Sequence, residues 1–360
     1  MRSSESLRVL GSVAVLLGAS TAASRANAQQ QAQGFSVERL YTSAPGAGWF
    51  VMDDLTQRRG LGGTMALTTG YARDPLRVTD GTTHLPVVSD QAFTELGLAA
   101  TYDRWRLHLD LDMPLTVRGR SGVVGGYRFT APYVELGSHP DTLTDARIGV
   151  DGRLLGEPRS PFRLGVSAQL FVPEGTIQGS RADYTTDGTV RAMFRGLFAG
   201  DVGLLTYAGQ LGVHVRPLDD APTPGSPRGS ELLFGAAAGP RFLLGGGGTA
   251  LVVGPEVYGQ TAFQSFFGKD TTGLEGLLSA RAEGTAEDGE QVRVKLGMGG
   301  GLDQHFGAPE WRIVVGVEIF DHGNDRDRDT VTDRKDACPD VPGIRTKDPK
   351  TNGCPPGFTP

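Results

Sequence analysis

Cysteine is almost missing from this chain of 360 residues: only Cys338 and Cys354 occur, both close to the C-terminus. Everything before them must therefore be stable without disulfides, which excludes a disulfide scaffold for the body of the protein. Apolar runs of about 20 residues are also missing, which excludes a bundle of transmembrane helices. No block of basic residues stands out and the formal net charge is −6, so nucleic acid is not expected as a partner. Neither a G-x-S-x-G elbow nor a GxxxxGK[ST] loop is present. None of the six histidines stands in an H-x-S pair. His108 and His214 read as lining of a hydrated interior, and no enzyme is expected. What is abundant is glycine, 53 residues, with no G-X-Y period that would suggest collagen. Hydrophobic content of 38% and charged content of 21% argue against wholesale disorder.

Residues 1–28 carry the marks of a secretory signal peptide. Arg2 and Arg8 precede a short apolar stretch, Val9 to Leu17, and Ala26-Asn27-Ala28 is an A-x-A cleavage site. An exported chain meets an oxidising compartment, where Cys338 and Cys354 can pair.

The body alternates with a period of two, the mark of a strand whose side chains point to opposite faces. In 104–117, Trp105, Leu107, Leu109, Leu111 and Met113 oppose Arg106, His108, Asp110 and Asp112. Twelve such segments are expected: 62–72, 92–103, 104–117, 143–156, 161–173, 187–199, 202–216, 230–244, 249–262, 272–285, 290–302 and 310–320. Each has the length a tilted transmembrane strand needs, ~9–11 residues with some overhang. Their connections alternate in length. Short ones fall at 103–104, 157–160, 200–201, 245–248 and 286–289; the Gly245–Gly248 run is a turn between strands rather than a phosphate cradle. Longer ones fall at 73–91, 118–142, 174–186, 217–229, 263–271 and 303–309. Outer-membrane barrels have short periplasmic turns and longer outside loops.

The fold expected is therefore all-β, a transmembrane antiparallel β-barrel of about 12 strands over 62–320, set in outer-membrane lipid. Residues 29–61 form an N-terminal segment whose place, in the lumen or the periplasm, is open. Tyr102, Trp105, Phe162 and Phe198 lie near short turns, where an interfacial girdle belongs. The polar face carries charges of both signs, among them Arg106, Asp110, Asp112, Arg163, Arg195 and Arg293. Mixed neighbours can pair and fill the lumen; passage of small solutes is the rival reading. A secreted sandwich also alternates, but its strands are shorter, ~5–6 residues.

Composition changes after Phe320. In the acidic tail, 321–360, Asp325, Asp327, Asp329, Asp333 and Asp336 stand at positions 1, 3, 5, 9 and 12 of a loop, with Val331 at position 7. Carboxylates at those positions and a backbone carbonyl at the seventh are what a 12-residue Ca²⁺ loop supplies. The pattern resembles the thrombospondin type 3 repeat, D-x-D-x-D-G-x-x-D-x-x-D-x-C, and extends to Cys338-Pro339. It departs where the repeat has Gly and this chain has Thr330, and Arg326, Arg328, Arg334 and Lys335 interleave the acids. Cys354-Pro355 resembles the second cysteine of such linkers.

Signal peptide, barrel and repeat in this order resemble the OmpA-type outer-membrane proteins of Gram-negative bacteria. Residues 35–55, FSVERLYTSAPGAGWFVMDDL, look like the start of the larger barrels of that group. Family members continue into a peptidoglycan-binding domain, which is not expected here, since the chain given ends at Pro360. The resemblance implies an outer-membrane anchor with a periplasmic, Ca²⁺-binding tail. A porin-like channel and a calcium-dependent surface adhesin are the alternatives, and a cell-wall or surface partner is left open.

Overall fold

The computed structural model describes residues 30–32, 34–57, 60–140, 145–173, 183–218, 229–244, 249–268, 271–285, 291–303, 307–322, 327, 329, 331 and 335–358. The expected signal peptide, the turns at 245–248 and 286–289, and the expected ligands Asp325 and Asp333 lie outside the described residues.

Twelve long strands make the wall: β1 (Leu61–Thr79), β2 (His84–Tyr102), β3 (Trp105–Arg118), β4 (Asp145–Leu155), β5 (Arg163–Pro173) and β6 (Arg191–Val202), then β7 (Leu205–Val215), β8 (Glu231–Leu244), β9 (Thr249–Ala262), β10 (Thr272–Thr285), β11 (Gln291–Asp303) and β12 (Trp311–His322). Each pairs antiparallel with its chain neighbour. β12 returns to β1, from Trp311 opposite Arg73 to His322 opposite Gly62, and closes the barrel. Closure removes every sheet edge, which a barrel in hydrocarbon requires. The all-β, twelve-stranded expectation is borne out. No helix among the described residues is long and apolar enough to cross a membrane.

Local chemistry explains the tight hairpins at one end. A two-residue connection needs left-handed backbone to match strand twist. Asp103 takes φ 54° between β2 and β3, and Gly203 takes φ 60° between β6 and β7. This is the short-turn end, where the chain enters β1 and leaves β12.

Three boundaries differ from the sequence expectation. The connection expected at 73–91 is mostly paired strand: β1 runs on to Thr79 and β2 starts at His84. Pro75 reads as a strand breaker, yet the register shifts between Arg73 and Leu76 leave it in a bulge where no N–H is needed. The strand expected at 187–199 starts at Arg191, because Asp187 is turned inward to accept the Ser36 N–H at 2.8 Å. The turn expected at 200–201 falls at 203–204, since Gly200–Val202 still pair with Leu205–Tyr207.

The long-loop end has structure of its own. After β3, Gly122–Val124 and Tyr127–Phe129 form a hairpin, and Gln30–Gln31 join it in parallel. Leu85, Val87, Val124, Phe129 and Tyr184 build an apolar core there with Phe35 and Val37.

Candidate functional site

The strand period puts charge on the inside. Arg106, Asp110, Arg163, Arg195 and Arg293 are buried within the barrel, and Asp112 lines a lumen cleft. Such charges stay in an interior only if they are paired. The N-terminal segment 32–57 partners two of them, Arg106 and Arg163, and other wall charges besides. It enters at the long-loop end beside the 122–129 hairpin and runs the length of the lumen to the short-turn end. We call it the plug.

Near the long-loop mouth, plug residue Arg39 meets Glu231 at 3.2 Å and Glu38 meets Arg312 at 2.8 Å. Arg216 bridges Asp187, at 2.8 Å, and Glu231, at 2.7 Å. Asp187 lies in the loop before β6. Burial opposes its ionisation, but Arg216 and Arg191 outweigh that and hold its carboxyl well below the usual range. Halfway down, the Thr42 hydroxyl donates to Glu95 at 2.5 Å, and Arg147 donates to the Thr42 carbonyl at 2.8 Å.

Below this the plug makes a compact turn. Ser43 N–H donates to the Phe50 carbonyl at 2.7 Å and Asp54 N–H to the Ala47 carbonyl at 2.9 Å. Gly48 takes φ 108°, and a Cβ there would meet both Arg281 and Asp54 at 2.3 Å, so the turn and its ion pair require glycine. The turn presents Trp49 beneath the Arg281 guanidinium, 4.9 Å away, and Phe50 beneath the Lys295 ammonium, 5.0 Å away. Glu256 accepts the Phe50 and Val51 N–H groups at 3.0 and 2.8 Å and the Ser279 hydroxyl at 2.6 Å. At the short-turn end, Asp53 pairs with Arg106, Asp54 with Arg281 at 3.1 Å, and the Asp54 carbonyl accepts from Arg163 at 2.9 Å.

The outside of the same strands is apolar. Leu107, Phe194, Leu211, Leu278 and Leu296 are exposed, and Tyr102, Trp105, Phe162 and Phe198 are exposed near the short turns. Leu278 is 63% exposed while Arg281, on the other face of the same strand, is 5% exposed. Water would not tolerate that arrangement over twelve strands, and a bilayer asks for it.

The wall is a closed β-barrel with the apolar outer belt of one that spans a bilayer. No family model matches the chain, and no curated protein matches its sequence. Among solved structures it is similar to an outer membrane channel from Pseudomonas putida F1, with 14% identity, 78% of this chain and 100% of that one covered, and a TM-score of 0.49. It is also similar to the NanC porin, with 6% identity, coverages of 71% and 98% and a TM-score of 0.41. An anion-selective porin from Comamonas acidovorans gives 12% identity, coverages of 72% and 98% and a TM-score of 0.30.

In the tail, Cys338 and Cys354 form a disulfide. Asp327, Asp329 and Asp336 each bring a carboxylate oxygen within 4.8 Å of the others. Val331 is buried, and its N–H donates to Asp329 at 2.8 Å. Asp336 accepts the Cys338 N–H at 2.7 Å through one oxygen; its other oxygen is shielded and has no hydrogen-bond partner among the described residues. Such an orphaned, shielded carboxylate oxygen beside two more carboxylates suits a hard cation.

Sequence reasoning missed several lumen acids: Asp53, Asp54, Glu95, Glu231 and Glu256. The last three stand in phase with the inward positions of their strands, and that phase was the signal available.

Proposed function

We propose that the chain is a narrow outer-membrane channel held shut by its own plug, with a Ca²⁺-binding tail on the periplasmic side. One observation carries the channel reading. Among the described residues, the plug is tied to the wall by side chains, and no β-ladder joins residues 32–57 to a barrel strand. Ion pairs can be exchanged for water one at a time, whereas a ladder opens only cooperatively. Displacing the plug would leave a bore lined by the charges it now neutralises. Planar-bilayer recording tests this. The full chain should give only small, brief steps, and a variant lacking residues 32–57 should give large, steady ones. A bilayer sealed by both at all voltages overturns the channel and leaves the second reading, a structural anchor. That reading is favoured by ion pairs that neighbouring wall strands make with each other, Arg216 with Glu231 and Glu318 with Arg293 and Lys295.

Short turns face the periplasm in outer-membrane barrels, so a chain leaving β12 at that end carries its tail there. Asp327, Asp329 and Asp336 would hold Ca²⁺, joined by Asp325, Asp333 and the Val331 carbonyl as the thrombospondin type 3 resemblance implies. The ion would neutralise the aspartates and stiffen the tail. In the full chain, Ca²⁺ should slow proteolytic cutting at Arg345 and Lys347. Equal cutting with millimolar Ca²⁺ and with chelator overturns the tail site.

A further inference from the structure

From Asp53 to Leu55 the plug's polar contacts with the wall are all to arginine. Asp53 pairs with Arg106, and Asp54 with Arg281 at 3.1 Å. Arg163 donates to the Asp54 carbonyl at 2.9 Å and Arg153 to the Leu55 carbonyl at 3.1 Å. Four guanidinium groups, carried by β3, β4, β5 and β10, thus converge on three consecutive residues. Higher in the lumen the plug meets acids as well: Arg39 pairs with Glu231, and the Phe50 and Val51 N–H groups donate to Glu256. The short-turn end is therefore different in kind from the rest of the bore.

The wall by itself leaves positive charge in surplus there. Arg106 has Asp151 at 3.0 Å and Arg163 has Asp201 at 2.6 Å. Arg281 has Glu283 at 3.1 Å, but Glu283 also serves Arg293 at 3.2 Å. A further cation points the same way independently. Arg195 stands in one register row with Arg106, Asp151 and Ser167 across β3 to β6. It is 6% exposed and bonds only neutral groups, Gln210 at 2.9 Å and Ser167 at 3.1 Å. It makes no ion pair among the described residues, and its Nε is shielded with no hydrogen-bond partner among them. Asp151 and the plug's Asp53 are the acids whose charge reaches it. With residues 53–55 withdrawn, this row keeps two guanidinium groups against one carboxylate, and such an imbalance calls for an anion.

We infer that this arginine cradle is the selectivity site of the lumen and that the solute it passes is a small organic carboxylate, an inference that rests on the channel reading above. The two carboxylates and two carbonyl oxygens of residues 53–55 stand where the oxygens of the solute go. The arginines sit on barrel strands, so the cradle keeps its shape when the plug leaves it. A guanidinium fork fits a carboxylate through two parallel N–H···O bonds, which a spherical anion does not match. A small cation meets like charge at the same point and is turned back. Several arginines side by side let a carboxylate pass from one to the next, and passage needs such a series of sites rather than one tight one.

The test is planar-bilayer recording, in a KCl gradient, of the full chain and of its Asp53→Asn/Asp54→Asn variant, both with heat-dependent gel mobility. The variant loosens the plug's hold on the cradle and should stay open longer than the full chain. Steps of both should reverse near the chloride equilibrium potential, with chloride favoured over potassium about fivefold or more. Millimolar succinate should reduce the chloride current, and 1,4-diaminobutane should not. Arg195→Gln strands no ion-pair partner and should lower the chloride preference by about twofold or more. Steps that reverse at zero or toward the potassium potential, equal effects of succinate and the diamine, or an unchanged preference in Arg195→Gln overturn the anion site and leave the channel standing. Silence of both chains at all voltages overturns the channel reading itself, and the anion site with it. The reversal potential and the succinate comparison are read on the unaltered chain, so they decide even where a variant does not fold.

Discussion

The two faces of the same strands obey opposite rules. On β3, Trp105 and Leu107 point outward and are exposed, while Arg106, His108 and Asp110, one residue out of phase, are buried. A soluble sandwich would reverse this, with apolar side chains inside and charges in water. The inner face stays charged because its charges find partners on neighbouring strands or on the plug, as Arg293 does on Glu318 and Arg106 on Asp53. The outer face stays apolar because hydrocarbon offers no partner. Polarity here follows the solvent on each side, and pairing replaces solvent where there is none.

That comparison can be broken from the inside with the largest effect. Arg216→Ala strips Asp187 and Glu231 of their shared guanidinium. Loss of one partner of a buried pair costs about 3–5 kcal/mol, so the heat-dependent gel shift should move to a clearly lower temperature. From the outside, Leu278→Lys places a charge on the lipid face of β10, where the leucine is 63% exposed. A cost of about 2–4 kcal/mol is expected near the bilayer midplane, read as a lower urea midpoint after reconstitution. A milder change sharpens the plug's share. Glu256→Gln keeps the side chain's shape but removes the charge that holds two plug N–H groups. Hydrogen bonds to a charged group contribute about 1.5–3 kcal/mol, so the plug should be cut faster by protease while the barrel remains closed.

The smallest effect is in the pH profile. Asp187 has a carboxyl depressed in the folded protein, so its contribution is fully present above the unfolded value of about 3.9. It is lost as pH falls through the depressed folded value. The unaltered chain should therefore lose stability on acidification in that window, and Asp187→Asn, already lacking this contribution, should show a shallower loss. Thermal midpoints measured from neutral pH down to pH 3 check the difference.

Much of the wall was legible because a period of two needs no knowledge of partners. Twelve strands, the faces of Arg106, Asp110, Arg163, Arg195 and Arg293, and the apolar belt all follow from it. Boundaries failed where local signals misled. The connection expected at 73–91 is mostly paired strand, with Pro75 taken up in a bulge, and Asp187, expected at the start of a strand, is drawn inward by Ser36 and Arg216. The plug was not legible. Residues 32–57 have no period, and their partners are distant in the chain: Phe50 and Glu256 are 206 residues apart.

By itself, then, the sequence determined the class of the protein. Alternation over twelve segments with paired short and long connections leaves few ways to satisfy every backbone N–H and C=O in hydrocarbon other than a closed barrel. What occupies the barrel was decided only by the tertiary structure. An irregular segment is placed by the sum of many single contacts, among them Arg39 with Glu231, Phe50 with Glu256 and Asp54 with Arg281. None of these contacts exists until the wall has closed and brought its strands around a common axis.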